Sequence, residues 1–277
     1  MDEAESRPPG SFTPNGFTVT ALQAAWSAIR QTETPPQQPA SGSFAASHFE
    51  HALHAAVRIG NDTDTVAAIA GGLLGAYWGV SAIPAKWRSV VHGWPGLRAR
   101  DLVAMAALTA RRGHPDSSGW PTVGHIEYPD ASSAVDPVPH PYDDGVTLGT
   151  AWPSEHETDV VVSLCRLGTE RRHLPRVADA DQLDVWLIDS DNAESNPHLD
   201  FLLADTAAYI AAQRDQGRCV YVHCVAAQQR TPSVALAYAA LRGQDPAAAR
   251  EAIKGVLPST RASGALWDAA ARVRAGD

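Results

Sequence analysis

The segment that most constrains the fold lies near the C-terminal end, where an apolar run, Arg218–His223, is followed by a short loop and a helical pattern over about Pro232–Leu241. Two further β-branched runs, Asp159–Leu164 and Val185–Ile188, precede it, and a helix is predicted from about Pro197 to Gln213. Strands that alternate with helices indicate a parallel sheet. We therefore expect an α/β domain with a central, mostly parallel sheet flanked by helices.

The loop after Arg218–His223 places Cys224 where the strand ends and Arg230 where the helix begins. A short loop that leads into a helix directs backbone N–H groups and the positive end of the helix dipole toward one point, which suits an anion. The same field stabilises a thiolate, the reactive form of cysteine. Arginine binds two oxygens of a phosphate with its planar fork. The anion would be bound by the five intervening residues: Val225, Ala226, Ala227, Gln228 and Gln229.

His223-Cys224, five residues, then Arg230-Thr231 resembles the HCX5R(S/T) signature of dual-specificity and tyrosine phosphatases, over roughly residues 144–274. The resemblance implies hydrolysis of phosphomonoesters, in phosphorylated proteins or small molecules, through a phosphocysteine intermediate. It assigns the nucleophile to Cys224, phosphoryl binding to Arg230, stabilisation of the leaving thiolate to Thr231 and orientation of the loop to His223. It implies no cofactor.

Members of that family also use a general acid on a loop ahead of the preceding helix. Asp191 is the favoured candidate and Asp189 the alternative. Two residues depart from the usual signature: Ala227 stands where a glycine is common, and Gln229 where a serine is common. These departures leave open a phosphate-binding pseudoenzyme. A rhodanese-type sulfur transferase is a further alternative, because it also places a cysteine loop over a helix N-terminus.

The N-terminal part has the pattern of a helical bundle. Amphipathic or apolar helices are predicted over Thr18–Arg30, His48–Ile59, Thr65–Gly79 and Ala99–Arg111. Residues 112–143 are dense in Pro, Gly, Ser and Asp, which indicates a linker. The predicted organisation is therefore a helical fragment over residues 15–111, a linker over 112–143 and the α/β domain over 144–274.

Within the helical fragment, the segment from Ile59 to Ala76, with Asn-Asp-Thr-Asp-Thr near its start, resembles the C-terminal metal motif of ADP-ribosylglycohydrolases. The resemblance implies an all-α fold and Mg²⁺ bound by Asp62, Asp64 and Thr65, whose oxygens are the donors that this cation prefers. The acidic motifs of the family's N-terminal half are absent from residues 1–58. We therefore favour a truncated, structural remnant of that fold, with a site completed by ligands from a partner chain as the alternative. In such a remnant, these residues would only cap a helix.

Composition and charge limit the partners and the location. The formal net charge of −9 argues against nucleic acid as a partner. The chain shows no signal sequence and no apolar run long enough to cross a membrane, and its three cysteines are sparse, so we expect a cytoplasmic protein. Two weaker clusters are His48, His51 and His54, a candidate metal-binding face, and Arg171, Arg172, His173 and Arg176, a candidate anion-binding surface.

Overall fold

The computed structural model describes residues 2–128, 136–151, 156–170 and 177–274. Its internal contacts divide the chain into two compact units, residues 1–84 and residues 85–277. The basic cluster over residues 171–176 lies outside the described residues. Within the described part of the chain, no helix combines the length and apolarity needed to cross a bilayer.

The first unit is built from helices. They are α1 (Asp2–Ser6), α2 (Thr18–Gln31), α3 (His48–Val57) and α4 (Thr63–Trp78), with 3-10 turns at Pro9–Ser11, Pro39–Ser41, Ala45–Ser47 and Val80–Ala82. Helix α2 packs against the other three helices through a face made mostly of alanines, whose small side chains allow the helices to approach closely. The helices predicted from periodicity are present, and α4 begins two residues earlier than expected.

The second unit contains a five-stranded sheet with its helices, and a two-stranded hairpin. In chain order the elements are α5 (Ala85–Val90), β1 (His92–Gly93), β2 (Leu97–Arg98), α6 (Ala99–Ala110), β3 (Val138–His140), β4 (Asp143–Thr150), β5 (Val160–Ser163), β6 (Gln182–Asp184), α7 (Leu199–Asp215), β7 (Val220–Cys224), α8 (Arg230–Leu241), α9 (Pro246–Val256) and α10 (Ala265–Ala270), with 3-10 turns at Asp179–Asp181 and Ala193–Ser195.

The strand order of the large sheet is β3-β4-β7-β5-β6, and only the edge pair β3-β4 is antiparallel. The prediction of a mostly parallel sheet with helices is therefore confirmed. Strand β7 lies in the middle and is buried along its whole length. Its side chains alternate between two environments: Val220, Val222 and Cys224 belong to the main apolar core, while Tyr221 belongs to a separate cluster with Val161.

Two details of the predicted elements differ from the structure. The strand expected at Val185–Ile188 is instead β6 at Gln182–Asp184, although the Val185 N–H still donates to the Ser163 carbonyl at 2.8 Å. Beyond the ladder, Ile188 instead hydrogen-bonds with a side chain, described below. The hairpin β1-β2 lies within residues 15–111, so an all-α fragment is not confirmed for that range.

The division between units falls between Pro84 and Ala85, ahead of the predicted linker at residues 112–143. Helix α5 explains this position, because its Arg88 is 6% exposed and donates to the Asp184 carbonyl at 2.7 Å. The Ala85 N–H also donates to Asp205 at 2.8 Å. These bonds attach α5 to strand β6 and helix α7. The predicted ranges 15–111, 112–143 and 144–274 remain a prediction from sequence.

The main core should dominate the stability of the second unit. Leu236 on α8 is fully buried in it, whereas Leu102 on α6 is 45% exposed. We expect Leu236→Ala to lower the free energy of unfolding by about 2–5 kcal/mol, since it removes buried methyl groups and leaves a cavity. The matched variant Leu102→Ala should cost less than about 1 kcal/mol. Urea denaturation of the full chain measures both, and equal losses would contradict this packing.

Candidate active site

The candidate site is the loop between strand β7 and helix α8. Strand β7 ends at Cys224, helix α8 begins at Arg230, and the five predicted anion-binding residues lie between them. Cys224 is 1% exposed and Arg230 is 9% exposed. The sequence therefore located the strand, loop and helix correctly, and the structure brings both residues to the carboxyl edge of the central strand.

Two thiols and a carboxylate act electrostatically on the buried Arg230 guanidinium. Burial alone would lower the pKa of Arg230, but interaction with Cys224, then with Cys165 and Asp189, raises it above its ordinary value. Burial raises the pKa of the Cys165 thiol to about 12, against the opposing effect of Arg230. Cys165 is therefore a neutral thiol at physiological pH.

Two further contacts fix the orientation of the Arg230 fork. Its Nη1 donates to the Leu164 carbonyl at 3.1 Å, at the end of strand β5. Its Nε lies 3.3 Å from Asp189 Oδ2, and Asp189 is partly exposed. Two nitrogens of the guanidinium thus contact the protein: Nη1 a buried carbonyl and Nε a carboxylate. The sequence did not predict this role for Asp189.

The first and last residues of the signature, His223 and Thr231, are both fully buried. His223 stacks on Tyr221, with ring centroids 5.6 Å apart and planes inclined by 26°. The Thr231 hydroxyl donates to the Gly149 carbonyl at 3.4 Å, on the neighbouring strand β4. His223 is therefore part of the packing beneath the loop. The hydrogen bond of Thr231 ties the start of α8 to the sheet, and its role toward the thiolate remains a prediction.

Ala227 adopts the backbone conformation for which the signature usually has glycine. Its φ is +52°, in the left-handed region, and its side chain is completely buried. A residue with a Cβ pays roughly 1–2 kcal/mol to adopt this conformation. The departure from glycine noted in the sequence is therefore accommodated by the fold, at the cost of local strain. The loop is also held by the Arg261 N–H, which donates to the Gln228 carbonyl at 3.0 Å.

The two candidate acids occupy different positions. The exposed Asp191 accepts a hydrogen bond from the Gln229 amide at 3.2 Å, so Gln229 links it to the signature loop. Gly264 closes the other side, because a Cβ built there would stand 2.5 Å from Asp191 Oδ1. Asp189 instead pairs with Arg230. Both carboxylates lie beside the loop, and only Asp191 is held without using the arginine.

A segment of the predicted linker packs beside the site. We call residues 116–128 the covering segment. Tyr128 packs against a small buried cluster of Ala151, Cys165 and Val225, and its hydroxyl donates to the Arg166 carbonyl at 2.5 Å. Val225 directly follows the candidate nucleophile. The sequence did not indicate Tyr128 as a neighbour of the site, because a stretch rich in Pro, Gly and Ser gives no periodic signal.

The covering segment is attached to residues 166–170 by backbone hydrogen bonds. The Thr169 N–H donates to the Val123 carbonyl and the Glu170 N–H to the Gly124 carbonyl, both at 2.9 Å. Gly168 permits this approach, since a Cβ there would lie 2.1 Å from the Gly124 oxygen. Arg166 adds an ion pair with Asp116 at 2.5 Å. These contacts give the covering segment a defined position on the second unit.

The candidate metal residues lie in the first unit, at the start of α4. Asp62 immediately precedes the helix, and no cap hydrogen bond from its side chain is found. Its N–H donates a hydrogen bond to the side-chain oxygen of the buried Asn15 at 3.1 Å. The pKa of Asp64 lies below its ordinary value, chiefly because of a hydrogen bond with the Asp62 side chain and then because of the N–H groups of Asp64 and Thr65.

This donor set does not by itself fit a two-magnesium centre. Among the described residues no group of three or more His, Cys, Asp or Glu side chains could hold a metal ion. The predicted histidine face also has another use: His48 is buried, its Nε2 lies 3.2 Å from the Ile29 carbonyl, and its Nδ1 accepts from Trp78 at 3.1 Å. The histidine therefore belongs to the helical core.

Comparison with known proteins gives one family match and several similar solved structures. Residues 2–117 match the family model of ADP-ribosylglycohydrolase. Among solved structures, human DUSP28 matches with 22% identity, 49% of this chain, 94% of that chain and a TM-score of 0.38. A variant of human DUSP28 matches with 21% identity and a TM-score of 0.40, over 49% of this chain and 91% of that chain. A mouse putative dual specificity phosphatase complexed with zinc tungstate matches with 20% identity and a TM-score of 0.37, over 48% of this chain and 86% of that chain. No curated protein matches.

The family match confirms the resemblance of the N-terminal part and extends it beyond residues 15–111 at both ends. The matched solved structures cover about half of the chain.

The strained backbone at Ala227 allows a test of the loop with neighbouring residues. We expect Ala227→Val to lower the free energy of unfolding by more than about 2 kcal/mol, because a β-branched residue is poorly tolerated at positive φ. Ala227→Gly should fold normally, because glycine adopts this conformation freely. The matched control is Ala226→Val, expected to cost less than about 1 kcal/mol at its partly exposed position. Equal urea midpoints for the two valine variants would contradict the assigned conformation.

Proposed function

We propose that this chain hydrolyses phosphomonoesters with Cys224 as nucleophile and Arg230 as the residue that binds the phosphoryl group. One observation carries the proposal: Cys224 ends the central strand, Arg230 begins α8 after a five-residue loop, and the two buried side chains interact electrostatically. The N–H groups of Val225 to Gln229 and the N-terminus of α8 would complete the anion site. Phosphorylated protein is the proposed substrate class.

In the proposed reaction, the Cys224 thiolate attacks phosphorus and forms a P–S bond while the ester P–O bond breaks. The electron pair leaves with the ester oxygen, which takes a proton from Asp191. Water then attacks the phosphocysteine, Asp191 accepts its proton, and inorganic phosphate and the Cys224 thiolate are released. Arg230 stabilises the negative charge on the equatorial oxygens in both steps. Neither step requires a metal ion.

The environments of the two aspartates support a division of roles. Asp189 lies 3.3 Å from Arg230 Nε, where it can orient the fork for the phosphoryl oxygens. Asp191 is hydrogen-bonded to Gln229 and is free of the arginine, so it can exchange a proton with the leaving group. We therefore assign the acid to Asp191 and the positioning of Arg230 to Asp189.

The cysteine assignment is tested by hydrolysis of a generic aryl phosphate. We expect Cys224→Ser to lower kcat by a factor of roughly 10³ or more, because a hydroxyl is a far weaker nucleophile, while phosphate still binds to the loop. Cys219→Ser is the matched control, since Cys219 is an exposed thiol, and it should retain full activity. Excess chelator should leave the rate unchanged. Full turnover by the Cys224 variant would end the proposal.

The two aspartates should give different kinetic signatures. Asp191→Asn should lower kcat by roughly 10²-fold and abolish the fall in kcat at high pH, because that fall reports loss of the acid's proton. Asp189→Asn should mainly raise KM, because Arg230 loses its ionic partner. Profiles of kcat and KM against pH separate the two. A rate insensitive to Asp191→Asn would favour the sulfur transferase alternative instead.

A second candidate function, ADP-ribosyl hydrolysis, is favoured by the family match over residues 2–117. Asp62, Asp64 and Thr65 are the residues that would hold Mg²⁺, with the remaining ligands supplied by a partner chain. We derive no catalytic step there, because the described residues provide too few ligands. Release of ADP-ribose that depends on Mg²⁺ and is lost in Asp64→Asn would distinguish this activity from the phosphatase.

A further inference from the structure

The segment that carries both aspartates is closed at its base by a single side chain. Asn196 accepts a hydrogen bond from the Ile188 N–H at 2.8 Å and donates to the Ile188 carbonyl at 3.0 Å. Its side chain is nearly inaccessible, with 5% of the residue exposed. We call residues 189–195 the acid loop. Asn196 thus binds both backbone groups of Ile188, the residue immediately before this loop.

These two hydrogen bonds take the place of pairing between Ile188 and a neighbouring strand. Strand β6 ends at Asp184, so Ile188 is beyond the sheet ladder. A primary amide presents one acceptor and one donor side by side, as the backbone of a neighbouring strand does. Asn196 therefore satisfies the backbone of Ile188 where the sheet no longer can.

Asn196 is itself attached to the core. Its N–H donates to the Ala193 carbonyl at 3.1 Å, and its carbonyl accepts from the Leu199 N–H at 3.1 Å. Leu199 begins helix α7 and is part of the main core. The base of the acid loop is therefore joined to a helix whose position is set by buried apolar packing.

The interior of the acid loop is also ordered by hydrogen bonds. The hydroxyl of Ser190 accepts from the Asn192 N–H at 3.1 Å and from the Ser195 hydroxyl at 3.0 Å. At its tip, Asp191 accepts from Gln229 in the signature loop. Gln229 thus contacts Asp191 directly, and Asn196 holds the base of the loop that carries it.

We propose that Asn196 is a positioning residue for the acid: it holds Asp191 beside the Cys224 loop before substrate binds. The inference rests on the proposed phosphatase function. Proton donation requires hydrogen-bond reach of the leaving oxygen, and a displacement of about 1 Å costs roughly 10²-fold in rate. Loss of the two Ile188 bonds would let Asp191 move without changing Cys224 or Arg230.

The test compares two aryl phosphates that differ in their need for an acid. Phenyl phosphate has a poor leaving group that needs a proton, whereas the dinitrophenolate group of dinitrophenyl phosphate leaves readily without one. We expect Asn196→Ala to lower kcat on phenyl phosphate by roughly 10- to 100-fold, with KM within about threefold of wild type. Its kcat on dinitrophenyl phosphate should stay within about threefold of wild type, because that leaving group needs no proton.

Two further variants make the test specific. Asn192→Ala is the matched control, because Asn192 lies in the same loop but its side chain only accepts from the Glu194 N–H at 3.0 Å; it should behave as wild type. In an Asp191→Asn background, Asn196→Ala should change kcat no further, because the group that it positions is gone. Equal losses on both substrates, or multiplied losses in the double variant, would overturn the role.

Folding and function are separated by two additional measurements. If Asn196→Ala does not fold by circular dichroism, the same comparison is made with Asn196→Asp, which keeps the acceptor for the Ile188 N–H; a leaving-group preference equal to that of wild type would then contradict the inference. A wild type inactive on both substrates, or an active Cys224→Ser variant, would overturn the proposed function and this inference with it. An active wild type that fails only the Asn196 tests would overturn the inference alone.

Discussion

Two protein contacts to the Arg230 guanidinium are the constraint on which the candidate site depends. The Leu164 carbonyl accepts from Nη1, Asp189 lies beside Nε, and the thiols of Cys224 and Cys165 interact with the guanidinium electrostatically. A buried guanidinium is costly unless it is paired and hydrogen-bonded. These contacts therefore connect Arg230, at the start of α8, with the end of strand β5 and with the acid loop.

The sequence predicted the central elements because burial leaves a clear pattern in them. Strand β7 is enclosed on both faces, so its residues form a nearly continuous apolar run, and the signature residues follow at fixed spacing. The edge of the sheet was harder to locate. Val185 to Ile188 has the composition of a strand, yet the ladder ends at Asp184, and Ile188 hydrogen-bonds with the side-chain amide of Asn196, a tertiary contact that composition does not reveal.

Two other features could not be read from composition. The covering segment is rich in turn-forming residues and is held by backbone bonds to residues 166–170, which depend on tertiary contact and leave no periodicity. The pairing of Asp189 with Arg230 joins residues 41 positions apart by numbering (230 − 189), and proximity of that kind is not encoded locally. Ala227 shows the reverse case: the sequence marked the position as unusual, and its positive φ gives the reason.

A loop that is already in place also changes where selectivity can arise. Enzymes that close over their substrate can reject a poor one by failing to close. If Asn196 secures the base of the acid loop as proposed, the loop would offer little such motion. Under the proposed function, discrimination between phosphate esters would then rest on fixed surfaces around the opening, and Tyr128, which packs beside Val225, is an aromatic side chain located to provide one.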